Sequence, residues 1–172
     1  MINLPNIIDV EASGFGRGSY PIEVGVVLSS GRRFCSLIEP DESWTHWQRS
    51  AEDAHKISLQ EVYLFGSSIC SVADNLNCIL RDQTVYSDAW GNDSSWIAKL
   101  FEFAGKVQAF KIESIVSILT EQQMEIWHDT KEALAAKSSQ PRHRASNDAV
   151  LIQNTYYQTC AKLGLSKTIH VA

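Results

Sequence analysis

The sequence predicts a mixed α/β fold, in which helices cover one sheet. Two observations support this prediction. Three short segments rich in Ile and Val follow one another near the N-terminus with short links between them, as in an antiparallel meander. Beyond them, amphipathic helical patterns alternate with two further short strands. Internal repeats and linker-like segments are absent from the 172 residues, so one domain over residues 1–172 is expected.

The three strands of the meander are predicted within residues 7–14, 22–28 and 33–38. The glycines that follow the first strand form a loop. They are not a dinucleotide-binding fingerprint, because such a loop would open directly into a helix. Residues 40–50 are predicted as a loop, whose Trp44 and Trp47 either pack it onto the core or stack on bases.

Helical periodicity and end signals predict the remaining elements. Ser58 and Glu61 have the spacing of a capping box. After them we expect a helix over 69–80, a strand over 84–87 and a helix that begins at Asp93 and ends at Gly105. A strand over 107–110 and helices over 112–119 and 121–136 follow. After a polar loop over 137–141, the last helix is expected over 147–163, with Ser146 as its cap and Gly164 at its end.

Composition excludes several classes of protein. No run of about 18 apolar residues is present, so we expect no membrane span, and the N-terminus lacks the pattern of a signal peptide. The four cysteines have no C-x-x-C spacing, which argues against a zinc site and fits reduced thiols in the cytoplasm. A net charge of −5 argues against binding nucleic acid through bulk charge alone. A polyanionic partner would therefore require a bound metal.

Two carboxylates lie on the predicted first strand. Asp9 and Glu11 are two residues apart, so they point to the same face of that strand. Adjacent carboxylates on a buried strand are costly, because like charges repel and both lose hydration. A divalent cation removes that cost, and oxygen ligands suit Mg²⁺ or Mn²⁺ better than Zn²⁺. The alternative is an edge strand with two solvated acids.

A second acidic motif precedes the last helix. His143 lies five residues before Asp148, which falls in the first helical turn, where the helix dipole favours a carboxylate. The alternative interpretation is a helix-capping aspartate beside a solvated loop histidine.

Together these motifs resemble those of the DEDD-type 3′→5′ exonucleases, in the variant whose last motif carries a histidine. This superfamily includes polymerase proofreading subunits, ribonuclease T and oligoribonuclease. The resemblance covers nearly the whole chain: residues 9–14 match the first motif, 20–25 the strand after it, and 143–149 the pattern H-x-A-x-x-D-A. Residues 54–58 look like the family's His-Gly-Ile turn, with Lys56 where glycine is usual.

The middle motif departs from the family pattern. Members usually have a strand, a His-Asn pair and then an aspartate that opens a helix. Here the pair is missing and two aspartates are available. Asp93 fits better, because the aromatic Trp96 follows it and it begins an amphipathic helix, but Asp88 at the end of the strand remains an alternative.

The resemblance implies a ribonuclease H-like fold and a phosphodiesterase that uses two Mg²⁺ or Mn²⁺ ions. Asp9 would bridge both ions, Glu11 and Asp148 would complete the tighter site, and Asp93 would hold the other ion. His143 would act as the general base that deprotonates the attacking water.

The expected partners are the 3′ ends of single-stranded DNA or RNA, from which the enzyme would release nucleoside 5′-monophosphates. Gly14 and Phe15 would lie against the terminal nucleotide, through backbone amides and ring stacking. The alternative function is a catalytically silent module on the same fold that binds nucleic acid or protein. The sequence does not decide between RNA and DNA, or between a monomer and a homodimer.

Overall fold

A computed structural model describes residues 2–140 and 143–165 of the chain. Within these residues a five-stranded mixed sheet has the strand order β3-β2-β1-β4-β5, and six α-helices pack around it. The strands are β1 (Ile7–Ala12), β2 (Pro21–Val27), β3 (Arg33–Leu37), β4 (Thr84–Ser87) and β5 (Lys111–Ser114). The helices are α1 (Arg49–His55), α2 (Leu59–Phe65), α3 (Ile69–Leu80), α4 (Trp90–Ala104), α5 (Glu121–Lys137) and α6 (Ala145–Lys162), with a 3-10 turn over Ile115–Ile118.

The pairing of the strands confirms the predicted fold class. β1, β2 and β3 form the antiparallel meander, and β4 and β5 add to the other side of β1 in parallel. This is the ribonuclease H-like arrangement. In the pairing of β1 with β2, Asp9 lies opposite Gly25 and Glu11 lies opposite Glu23.

Each face of the sheet carries its own apolar core, and β1 contributes to both. Ile8 and Val10 belong to the cluster that includes the apolar residues of α3 and α4. Ile7 points the other way and belongs to the cluster that includes Ile152 and Tyr156 of α6. Because side chains alternate along a strand, Asp9 and Glu11 share the face of Ile7 and are turned toward α6.

In the N-terminal half, the region over residues 40–61 differs from the prediction in one element and agrees with it in another. The loop predicted over 40–50 gives way at Arg49 to the short helix α1, which the sequence pattern did not indicate. Trp44 is buried, stacks on Tyr20 with 5.1 Å between ring centroids and meets Phe103 edge-on, so it packs the loop onto the core. The capping box of Ser58 and Glu61 is confirmed at the start of α2.

The fifth strand is shifted from its predicted position. Residues 107–110 are not a strand: Val107 is 87% exposed, and the Asn77 side chain bonds the Val107 carbonyl and the Ala109 N–H in this connection. The strand begins at Lys111, where the backbone pairs with β4. This pairing also removes the first half of the helix predicted over 112–119, which is reduced to the 3-10 turn.

The C-terminal elements agree closely with the prediction. Lys137 belongs to α5 rather than to the polar loop predicted over 137–141, and Pro141 lies outside the described residues. The four cysteines are free thiols. Within the described ranges, no helix has the length and apolar content needed to cross a bilayer.

Candidate active site

A cleft of about 280 Å³ opens beside the second half of β1. It brings together every residue that the sequence analysis proposed for the site. The four carboxylates and the histidine share it with two residues of the β1–β2 loop: Asp9, Glu11, Asp93, Asp148, His143, Gly14 and Phe15. These residues come from β1, the loop after it, α4 and the start of α6, so the fold assembles the site from distant parts of the sequence.

Three of these side chains are close enough to share one cation. The ligand atoms of Glu11, His143 and Asp148 all lie within 4.8 Å of one another. Glu11 and Asp148 are half-buried, whereas His143 is exposed. The imidazole therefore faces solvent at the edge of the acidic cluster.

Burial and mutual repulsion raise the pKa values of the clustered carboxyls. The pKa of Asp9 is raised well above its usual range by burial and by the charges of Asp93, Glu11 and Asp148. Burial, followed by the charges of Asp148 and Glu23, raises the pKa of Glu11 to about 7. The pKa of Asp93 is also raised to about 7, chiefly by burial. At neutral pH these groups must retain protons or gain a cation, and an all-oxygen donor set of this kind fits Mg²⁺ or Mn²⁺.

Asp93 lies in the first turn of α4 and is almost completely buried. The helix begins at Trp90, three residues before the predicted start, and its cap residue Ala89 has no capping side chain. Ser87 at the end of β4 donates a hydrogen bond from Oγ to Asp93 Oδ2 at 2.5 Å. This contact orients the Asp93 carboxylate toward the cleft. The sequence analysis did not identify Ser87 as part of the site.

Asp88 occupies a different position. Its carboxylate is ion-paired with Lys131 of α5, and it lines a neighbouring groove rather than the cleft. It remains near enough for its charge to contribute to the raised pKa of Asp9. Asp93 therefore lines the cleft, whereas Asp88 does not.

The start of α6 positions His143 and Asp148. The helix begins at Ala145 with Arg144 as its cap, rather than at the predicted cap Ser146. The backbone N–H of His143 donates to Asp148 Oδ2 at 2.9 Å. His143 has φ 58°, a left-handed conformation that costs a residue other than glycine on the order of 1 kcal/mol. The backbone bond to Asp148 helps to hold this turn.

Glu23 on β2 anchors this helix start and was missed by the sequence analysis. Its side chain is fully buried and accepts hydrogen bonds from Arg144 Nη2 at 2.6 Å and from the Ala145 N–H at 2.8 Å. Two residues further along β2, a Cβ at Gly25 would lie 2.2 Å from the Ala145 carbonyl carbon. The two β2 residues opposite Glu11 and Asp9 therefore fix where α6 meets the sheet.

The loop after β1 is held by Gln48, another residue that sequence reasoning did not find. The Phe15 N–H donates to Gln48 Oε1 at 3.0 Å, and Gln48 Nε2 donates to the Phe15 carbonyl at 3.1 Å. Gly14 has φ 142°, and a Cβ there would lie 2.4 Å from Gln48 Oε1. The Phe15 ring is 67% exposed, with its centroid 6.1 Å from that of Trp96. Together the two rings form an aromatic wall of the cleft.

The end of α1 also borders the cleft. His55 lines the cleft, and its Nδ1 accepts the Ile57 N–H at 3.0 Å. Lys56 has φ 59°, which is the left-handed conformation that glycine adopts most easily. Lys56 thus has a backbone conformation that suits glycine, at the position where the family that the motifs resemble usually has glycine.

The mixed sheet has the ribonuclease H-like fold, and the carboxylates converge beside β1. No protein-family model matches the sequence, and no curated protein matches it. Similar solved structures include the zinc-bound complex of E. coli exonuclease I with single-stranded DNA, with a TM-score of 0.73, 11% identity, and coverage of 95% of this chain and 42% of that one. The complex of E. coli exonuclease I with a dA16 oligonucleotide gives a TM-score of 0.68 and 11% identity, over 94% and 41% of the two chains.

A third similar structure is the nuclease domain of 3′hExo, a DEDDh family member, bound to rAMP. Its TM-score is 0.67 at 14% identity, and the match covers 98% of this chain and 96% of that domain. The chain thus spans about two fifths of the exonuclease I chains but nearly all of this nuclease domain. At these identities the likeness establishes the fold.

Proposed function

We propose that the protein is a metal-dependent 3′→5′ exonuclease. It would hydrolyse the phosphodiester bond at the 3′ end of single-stranded nucleic acid and release nucleoside 5′-monophosphates. The observation that carries this proposal is the convergence of Asp9, Glu11, Asp93 and Asp148 in one cleft, with His143 at its edge. Clustered carboxylates without a cation would only destabilise the fold. We therefore interpret the cluster as a site that binds metal for catalysis.

The four carboxylates would hold two Mg²⁺ or Mn²⁺ ions. Asp9 lines the cleft, and burial followed by the charges of Asp93, Glu11, Asp148 and Asp88 raises its pKa, so we assign it to both ions. Glu11 and Asp148 would share one ion, and Asp93 would hold the other. When bound, the ions would supply Lewis-acid stabilisation of the phosphate oxygens and of the leaving 3′ oxygen.

His143 would remove the proton from the attacking water. Its imidazole is exposed and near Glu11 and Asp148, so it can reach a water molecule at the edge of the cluster. A positioned general base typically contributes roughly 10²–10⁴-fold to the rate. The hydrogen bond from its own backbone to Asp148 would keep the ring beside the carboxylates during the reaction.

The terminal nucleotide would lie against the loop after β1. Phe15 offers an exposed ring beside Trp96, and stacking on such rings tolerates any base. The E. coli exonuclease I structures contain DNA oligonucleotides, and the 3′hExo domain contains rAMP, so both DNA and RNA belong in the assay.

The second candidate function is a catalytically silent binding module on the same fold. The departure in the middle motif favours it, because the His-Asn pair that is usual in the family the motifs resemble is missing, and Asp88 is ion-paired with Lys131. A silent module would bind a strand without shortening it, so one assay separates the two proposals.

The test uses single-stranded DNA and RNA of the same sequence, each labelled at the 5′ end. Incubation with Mg²⁺ or Mn²⁺ should give a ladder that shortens from the 3′ end, and EDTA should abolish it. Asp9→Asn, which keeps the shape of the side chain and removes its charge, is the matched control and should be inactive. Release of the label as a mononucleotide at the first cleavage, or activity that survives EDTA, would contradict the proposal.

A further inference from the structure

A groove of about 400 Å³ lies beside the cleft, between the 3-10 turn and α5. One face of α5 forms its wall, through Met124, Trp127, His128 and Lys131, whose spacing of three and four residues places them in a row along the helix. Val116 and Met124 are 53% and 42% exposed, so the groove is open to solvent. No residue of this face takes part in the proposed chemistry.

The groove begins where the carboxylate cluster ends. Asp88 lines the groove, and the next residue, Ala89, lines the cleft. The cleft and the groove therefore adjoin at the end of β4. In the sheet order, β1 lies between β2 and β4, so the Phe15 wall on the β1–β2 loop and the groove at the ends of β4 and β5 lie on opposite sides of the acidic cluster.

The charges and surfaces of the groove suit one nucleotide unit. Lys131 is held at the junction by its ion pair with Asp88, and an ammonium group has three donors, so it can bind a phosphate oxygen as well. His128 is exposed one turn before it on the same face. Trp127 supplies an aromatic ring and Met124 an adaptable apolar contact for a base.

We propose that this groove binds the nucleotide on the 5′ side of the bond that is cleaved, with its base on Trp127 and its phosphate near Lys131 and His128. The proposal rests on the proposed function. In this arrangement a strand whose last nucleotide lies against Phe15 leaves the cleft past the carboxylates, and the groove adjoins the cleft on that side.

The test compares two substrates on each variant. The p-nitrophenyl ester of thymidine 5′-monophosphate has no nucleotide on the 5′ side of its scissile bond, whereas a short single-stranded oligonucleotide has several. Trp127→Ala should lower kcat/KM for the oligonucleotide about 10-fold, the usual effect of losing one base–aromatic stack, and should leave kcat/KM for the ester unchanged. Trp127→Phe should restore most of the loss.

Two further variants make the comparison robust to folding defects. Trp127 packs partly against the α6-side core, whereas His128 is exposed, so His128→Ala tests the phosphate contact without removing core volume. It should weaken only the oligonucleotide reaction, and more so at low salt. Tyr157→Ala removes an exposed aromatic residue of α6 that lines neither the cleft nor the groove, and should change neither reaction.

The outcomes separate this proposal from the one it rests on. If the wild-type protein cleaves neither substrate, the proposed function is wrong, and the assignment of a nucleotide to the groove is wrong with it. If both are cleaved and Trp127→Ala affects them equally or not at all, the groove assignment alone is wrong. If Trp127→Ala changes only the sedimentation behaviour of the protein, the groove is a contact between two copies of the chain and the nucleotide assignment is also wrong.

Discussion

Replacing Glu11 by glutamine should stabilise the metal-free protein at alkaline pH. Burial and the neighbouring charges raise the pKa of Glu11 from its ordinary value of 4.5 to about 7. The folded state therefore holds a proton that the unfolded state has lost throughout this interval. Because the folded state binds more protons, stability falls as the pH rises from about 4.5 to 7. Glutamine keeps the neutral form at every pH and avoids that loss.

The size of the effect follows from the pKa. A rise from 4.5 to about 7 corresponds to roughly 3 kcal/mol in the free energy of unfolding above pH 7. Glu11 is partly exposed, so solvent screens part of this repulsion and about 1–2 kcal/mol is the expected gain. For a chain of this size, such a gain raises Tm by about 2–8 °C.

Thermal unfolding followed by circular dichroism, in EDTA at pH 5 and pH 8, measures this gain. Glu11→Gln should melt above the wild type at pH 8 and close to it at pH 5, whereas Glu125→Gln at an exposed position of α5 should show no such pH dependence. Adding Mn²⁺ at pH 8 should raise the Tm of the wild type more than that of Glu11→Gln. A variant that melts lower than the wild type at pH 8 would refute the argument from burial and repulsion.

Three further predictions concern individual side chains. Asp93→Asn should abolish exonuclease activity while Asp88→Asn keeps most of it; the reverse ranking in the labelled-strand assay would make Asp88 the ligand. His143→Ala should lower the rate roughly 10²–10⁴-fold with little change in Mn²⁺ affinity by calorimetry, and a collapse of binding would make His143 a ligand instead. Glu23→Gln should lower kcat by loosening the start of α6, and because this turn positions His143 as well as Asp148, its loss should be less than additive with that of His143→Ala. Fully additive losses would show that Glu23 does not act through His143.

Local patterns predicted most of the sheet, and the motif resemblance supplied the candidate site residues that the cleft brings together. Asp9 and Glu11 lie on one strand, and His143 lies just before the helix whose first turn contains Asp148. A short window of sequence therefore contains each pair. Glu23 could not be found in this way, because its partner Arg144 is 121 positions away and only the fold brings them together. Gln48 and Phe15 present the same difficulty over 33 positions.

The errors in the elements have a related cause. The apolar run at 107–110 has strand propensity, but pairing with β4 selects the segment that begins at Lys111. Helix α1 has only seven residues, too few for a periodic pattern to appear. Pairing between distant segments decided the first case and the short length of the helix the second, so neither can be predicted from a single window of sequence.

The register of β2 against β1 limits how this protein can change. Because Gly25 and Glu23 face Asp9 and Glu11 across the ladder and also carry the start of α6, an insertion or deletion within β2 would shift one half of the site against the other. The exposed tip of the β1–β2 loop, around Gly16, bears no such constraint on its length. Insertions should therefore be tolerated at the tip around Gly16, beyond Phe15, and excluded from the neighbouring strand, although that strand supplies none of the proposed metal ligands.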